Sequence, residues 1–335
     1  MNFFLKTALL FQGLSLFLWL IQLAGIDRLL DTFYEVVWPL FLIFIPYVIV
    51  YLLDARGWQA TFHDRPKLLS FYRLFLIRTA GESLNNTLPS AYLGGEPVKA
   101  LLLKRFNVDM AEASSTVIAA KTTMTIAQAL FTLLGFGALY ISLERSIVLS
   151  GFFPVVWIVF IVGVIGIGVL VRWQQTGFTR PLVRLARVSK LFTQVLLRYE
   201  NSLIALDISL ARLHGQAKAK FWVSSGWFFC GWMVGVFEVY FFGVIFGVPL
   251  SLIDALAIEA LVNMLRAVAF IMPSNIGIQE GGIVLLFLAV GQTAFSGISF
   301  SLVRRFRELI WIGFGFGLLN WYGWRNQEMP DNLEK

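Results

Sequence analysis

Two short segments place ionisable side chains beside breaks in the chain. Pro89-Ser-Ala-Tyr-Leu-Gly-Gly-Glu96 and Pro273-Ser-Asn-Ile-Gly-Ile-Gln-Glu280 both begin with Pro-Ser, contain glycine, and reach a glutamate seven residues after the proline. The shift between them, 184 residues, also carries Lys121 onto Arg305 and Glu82 onto Arg266. All of these lie in or beside apolar sequence. At bilayer depth an ionisable side chain costs about 2.5–3.5 kcal/mol on insertion scales, so each needs a partner or water. The chemistry open to such a set is the recognition and movement of charge. Lys99, Lys121, Arg266 and Arg305 offer donors to a phosphate or carboxylate, and helix N-termini at the breaks add partial positive charge. Glu96 and Glu280 either hold those cations in place or take up protons, and the sequence leaves both roles open.

The elements that must position these groups are membrane helices. Hydrophobic residues make up 58% of the 335, charged residues 14%, and the mean hydropathy is +0.75, outside the usual range of soluble domains. Runs near the ~20 residues that cross ~30 Å of hydrocarbon occur at Ala8–Ile26, Val36–Leu53, Ala113–Leu143, Phe152–Val171 and Phe221–Phe246. Shorter apolar stretches lie at Leu74–Leu88, Ile253–Met272, Ile283–Val290 and Leu309–Trp324. Trp38, Trp58, Trp157, Trp173, Trp222, Trp321 and Trp324 fall near helix ends, where indole rings favour the headgroup level. The first run resembles a signal peptide, yet no small-residue cleavage site follows Gly25, so a retained helix is expected. Cys230 is alone and reads as a small buried hydrophobe.

The net charge of +7 is distributed in a way that argues against a nucleic-acid partner. Of 27 Lys and Arg residues, five (Arg56, Arg65, Lys67, Arg73, Arg78) follow the second run. Nine more (Arg172, Arg180, Arg184, Arg187, Lys190, Arg198, Arg212, Lys218, Lys220) fill 172–220. These mark the cytoplasmic side, whereas the acidic 27–35 loop and 247–254 read as external, which puts both termini in the cytoplasm. Apolar residues at roughly helical spacing within 178–215 suit either a helix lying on an anionic leaflet or a plain solvated linker helix.

The repeated charges imply a diverged internal repeat, one unit near 36–171 and the other near 221–325, joined by the basic connection 172–220. After Pro89 only Val98–Leu103 is apolar before Lys104 and Arg105, and Ile283–Val290 after Pro273 is also short. Neither can cross the bilayer and return. The physical solution is a pair of half-helices that enters and leaves on one side, with Pro and Gly breaking the backbone at the tip. Counting spans puts the first hairpin on the cytoplasmic face and the second on the external one. The expected fold is therefore an all-α polytopic membrane protein of about six transmembrane helices and two opposed re-entrant hairpins in an inverted repeat, an arrangement recurrent in transporters.

At these residues the chain resembles the lysylphosphatidylglycerol synthase transmembrane region, or flippase-like, family. Asn85, Pro89, Gly95-Glu96 and Lys99 look like its first motif. Pro273, Gly277, Gln279 to Gly282 and Arg304 to Glu308 are similar to its second. The stretch Glu238–Glu308, with Ile258-Glu259-Ala260-Leu261 and Arg266, looks like the hopanoid-biosynthesis-associated subgroup. The family usually has Arg at the positions of Lys99 and Lys121, and the two cations differ in bidentate phosphate binding. The resemblance implies a lipid flippase or transporter of a bacterial inner membrane. Its cargo would be an anionic or polycyclic, hopanoid-type lipid or lipid-linked group, with lipid-biosynthesis proteins as further partners. Relatives with a fused aminoacyl-transferase domain exist, but 172–220 is too short for one, so lysyl transfer is not expected.

Several charges carry two readings. Glu82 and Arg266 either pair near the midplane or snorkel from helix ends. Arg304, Arg305, Arg307 and Glu308 either serve the site, as Glu259 would, or mark an interface before the last helix. For Glu238, between Phe237 and Val239, no partner suggests itself. The rival classes are a membrane lipid-modifying enzyme and a scaffold for lipid synthesis. Against an enzyme, His63 and His214 lie in basic loops without a metal-ligand cluster, and no Asp-x-Asp pair, Gly-x-Ser-x-Gly elbow or phosphate loop occurs. No cofactor or metal is expected. A scaffold needs no internal charge.

Overall fold

The computed structural model describes residues 25–35, 39–62, 69–87, 94–144, 218–268 and 276–324, with isolated positions at 15, 18, 19, 21, 22, 161, 165 and 172. Among them every regular element is a helix: α1 Ile26–Glu35, α2 Leu40–Gln59, α3 Phe71–Thr87, α4 Glu96–Lys104, α5 Met110–Glu144, α6 Lys218–Ile245, α7 Leu252–Val268, α8 Ile278–Ala289 and α9 Ala294–Trp324. The expected runs over 152–171 and most of 8–26, both Pro-Ser turns, the two histidines and most of the basic connection lie outside the described residues. Among the described residues, three helical stretches are long and apolar enough to cross a membrane: Phe41–Gln59, Met110–Leu143 and Ala219–Ile245.

The helix α9 is one element of 31 residues, about 46 Å at 1.5 Å per residue. Arg304, Arg305, Arg307 and Glu308 sit inside it, and Arg304 and Arg307 are buried. The reading of these charges as an interface before the last helix is thereby overturned. They interrupt the hydropathy of the sequence but not the backbone, because each finds a partner inside the bundle. Arg78 departs in the same way. Grouped by sequence with the cytoplasmic loop, it is buried on α3, two turns past the start of that helix at Phe71. Cys230 is exposed on the outer face of α6 rather than buried. Trp222 and Trp321 lie exposed near helix ends, whereas Trp58 packs in the core.

The offset of 184 residues relates helices as well as side chains. It carries Met110, the start of α5, onto Ala294, the start of α9, and places α2, α3 and α4 over parts of α6, α7 and α8. Contacts give the directions. Lys220 Nζ donates to Phe62 O at 3.0 Å and Ser224 Oγ to Gly57 O at 2.8 Å, while Gly231 faces Asp54, so α2 and α6 are antiparallel. Arg56 over the Phe71 ring and Arg78 over Tyr51 make α3 antiparallel to α2, and Gly235 against Glu259 with Gly243 against Leu250 does the same for α6 and α7. Gln128 Nε2 donates to Asn263 O and Ser142 Oγ to Asp254, so α5 opposes α7. Phe44 meets Phe306 and Tyr51 stacks on Trp311 at 4.1 Å, so α9 runs with α2. Both short helices double back: α4 along α3, with Gly95 and Lys99 against Gly81, and α8 along α7 and α9. Each helix of α6–α9 thus points opposite to its counterpart in α2–α5.

Two apolar cores lie at the two ends of the α2/α6 pair. Trp58, Leu74, Ile77, Leu103, Val117 and Phe228 belong to one, and Ile43, Phe131, Val239, Phe242, Ile258 and Phe287 to the other. Outward positions are also apolar, among them Phe41, Leu42, Ile45, Trp222, Leu285, Leu309 and Phe314. That is the pattern of helices whose surroundings are as apolar as their core. Between the two cores lie the charges.

Candidate functional site

The first cluster is built by α2–α5. Arg78 on α3 donates to Asp54 on α2 and lies over the Tyr51 ring. One turn on, Glu82 accepts from Lys99 Nζ at 2.6 Å, and Lys99 also reaches Glu96 at 3.1 Å. Lys121 of α5 lies 3.8 Å from Glu96. Asn85 fastens the start of α4: its Oδ1 accepts the Gly95 N–H at 2.7 Å and its Nδ2 donates to Glu96 at 2.9 Å. A Cβ at Gly95 would come within 1.9 Å of Gly81 O, so only glycine lets the two legs approach this closely. Arg78, Glu82, Glu96, Lys99 and Lys121 border a small, partly open cleft that Trp58 and Phe228 also line.

The second cluster is built by α6–α9. Arg304, fully buried, donates to Glu238 at 2.8 Å and to Glu259, and the Glu259 carboxylate also accepts from Asn263 at 2.7 Å. Arg307 lies 3.0 Å from Glu238 with its guanidinium against the Tyr47 ring. Glu280, the third residue of α8, accepts the N–H of Gly277 at 2.6 Å and an N–H of Arg305. Gly277 has φ of 88°, a left-handed conformation that glycine adopts without strain, and this aims its N–H back at Glu280. Glu308 accepts from Arg305 at 2.9 Å and from Gln279 at 3.1 Å, and lies 3.5 Å from Arg266. A second small cleft lies where α2, α3, α7 and α9 meet.

The expected partnership of Glu82 with Arg266 does not form. Glu82 takes Lys99, and Arg266 takes Glu308 together with the Asn86 side chain at 3.3 Å. The shorter path wins, because α4 doubles back and brings Lys99 against its own helical leg. Arg266 still joins the clusters, since Asn86 belongs to α3. Glu96 beside Lys121 and Glu280 on Arg305 occupy the same places under the 184-residue offset. Of the other candidates, Pro89 and Pro273 lie outside the described residues. Glu238 gains the partners that sequence did not suggest. Asp54 and Arg78 were missed as candidates. The offset held a signal for Asp54, since 54 plus 184 is 238 and both positions are acids on the paired helices α2 and α6. No such signal marks Arg78, whose counterpart is Val262.

The balance of charge limits what this layer can do. The first cluster holds three acids and three bases, Asp54, Glu82 and Glu96 against Arg78, Lys99 and Lys121. The second holds four and four, Glu238, Glu259, Glu280 and Glu308 against Arg266, Arg304, Arg305 and Arg307. Paired in this way, ions at membrane depth avoid most of the penalty of standing alone.

Long apolar helices wrapped around an interior layer of paired charge define a membrane protein. The chain belongs to the lysylphosphatidylglycerol synthase TM region family, whose model matches residues 3–317. It is similar to the UPF0104 membrane protein PH1989 of Pyrococcus horikoshii, at 24% identity over 312 residues that cover 90% of this chain and 92% of the relative. No solved structure matches it.

Proposed function

We propose that the protein moves a lipid or lipid-linked group between the leaflets of the cytoplasmic membrane, and that the headgroup passes between the two hairpin tips. The observation that carries this reading is the meeting of the two charge clusters beside the breaks. Glu96 begins α4 and Glu280 lies in the first turn of α8, each beside a cation of a long helix, and Asn86 and Arg266 link the two clusters. The opposed directions of α2–α5 and α6–α9 support an inverted repeat, with α3–α4 and α7–α8 as re-entrant hairpins from opposite faces. About six full spans follow if 8–26 and 152–171 also cross. A polar layer that opens to clefts offers a headgroup water-like contacts, while acyl chains stay beside the apolar exterior.

No enzymatic step is assigned to the glutamates: both already serve as ion-pair acceptors, and transport needs no covalent change. The likeness of Glu238–Glu308 to the hopanoid-associated subgroup makes a polycyclic lipid a cargo to assay beside anionic ones. The test is flipping of labelled lipids by purified protein in liposomes. Glu96→Gln and Glu280→Gln should each lower the rate at least about tenfold, the equivalent of ~1.4 kcal/mol, while the protein stays folded in the bilayer. Wild-type rates in both variants at matched protein would overturn the reading.

A further inference from the structure

The cleft between α2 and α9 holds a buried cation with unmet donors. Arg307 is 1% exposed, and its Nε and Nη1 make no hydrogen bond. Glu238 at 3.0 Å and Glu308 at 3.9 Å balance its charge without lining up on its N–H groups. A guanidinium carries five N–H donors in a fixed fork, and leaving them unmet out of water is costly. The same cleft is bordered by Arg266, by the amide of Asn86 and by Glu308, whose carboxylate lies 3.5 Å from Arg266 and 3.9 Å from Arg307. Tyr47 and Trp311 wall it, the first against Arg307 and the second stacked on Tyr51. Two guanidiniums from different helices converging with an amide match a tetrahedral oxyanion, which can accept from several directions at once.

We infer that this cleft is a phosphate-binding site anchored by Arg307, with Arg266 as its second cation. It adjoins the Glu280–Arg305 pair through Glu308, and it deepens the transport reading by naming the group that the protein grips. The helices that form its walls turn Phe41, Leu42, Ile45, Phe306 and Ile310 outward, so chains attached to that phosphate would find apolar contact next to it. The phosphate is thus either that of a lipid headgroup or a free ion.

The test uses the full-length protein in detergent, with bound lipid counted by native mass spectrometry. Phosphatidylglycerol should be retained about tenfold better than a phosphate-free galactolipid, the worth of one charge-assisted pair. Arg307→Lys keeps the charge but loses the fork, and should remove most of that preference. Arg307→Met alone would leave Glu238 and Glu259 to share one cation, Arg304, so it is combined with Glu238→Gln. The double variant should lose the preference, and Glu238→Gln alone should keep it. Competition by inorganic phosphate would show that the bare group suffices; a preference that survives excess inorganic phosphate would assign the site to the lipid. A preference that persists in the double variant, or that is absent from wild type, overturns the site. Flipping that depends on Glu96 and Glu280 while phosphate preference ignores Arg307 would reject this inference and leave the transport reading standing.

Discussion

At Arg304 the cost of a buried charge can be measured directly. The side chain is out of contact with the exterior and its Nη2 donates to both Glu238 on α6 and Glu259 on α7, with Phe300 beneath its guanidinium. Removing one partner from such a group leaves a charge uncompensated, which costs roughly 3–5 kcal/mol. Arg304→Met should therefore lower the thermal unfolding midpoint, followed by helix signal in detergent, by an amount of that order. Adding Glu259→Gln should recover part of the loss, because Arg307 still balances Glu238. Additive effects in the double-mutant cycle would show that the pair is not coupled. These partners were not legible in the sequence: Glu238 and Arg304 are 66 residues apart, and no periodicity joins residues on different helices. The charged positions themselves were legible, because an ion in an apolar run stands out wherever its partner lies.

Close packing of the hairpin legs makes a sharper demand at the scale of the element. Gly95 and Gly81 bring α3 and α4 together backbone to backbone, whereas Gly317 on α9 has open space where a Cβ would go. Gly95→Ala should displace the start of α4 and cost on the order of 1–3 kcal/mol, as overpacking does. Gly317→Ala should be neutral or stabilise by up to about 1 kcal/mol through helix propensity. Thermal melts of the two variants check this, and equal midpoints would refute the close approach. Apolar length made α5 and α6 readable to within a few residues, since a membrane span is set by the thickness it must cross. The same criterion failed for α9, whose four charges split one helix into a loop and a short apolar run. It also stopped α2 at Leu53, although that helix continues through Asp54 to Gln59, because only the fold reveals that Arg78 neutralises the acid.

For the whole molecule the central claim is that two hairpins enter from opposite faces and meet. Ser70 and Ala111 flank the α3–α4 hairpin, and Pro249 and Gln292 flank α7–α8. The 184-residue offset was legible because it joins charges that membranes rarely tolerate by chance. The meeting point was not, since it depends on which leg each short helix folds against. Impermeant maleimide labelling of single cysteines at these four positions in intact and opened cells, with Cys230→Ser as background, tests the claim most directly. The account predicts that Ser70→Cys and Ala111→Cys label only from the cytoplasm, while Pro249→Cys and Gln292→Cys label only from outside. Labelling of Ser70→Cys and Ala111→Cys from opposite faces, or of all four from one face, would contradict it.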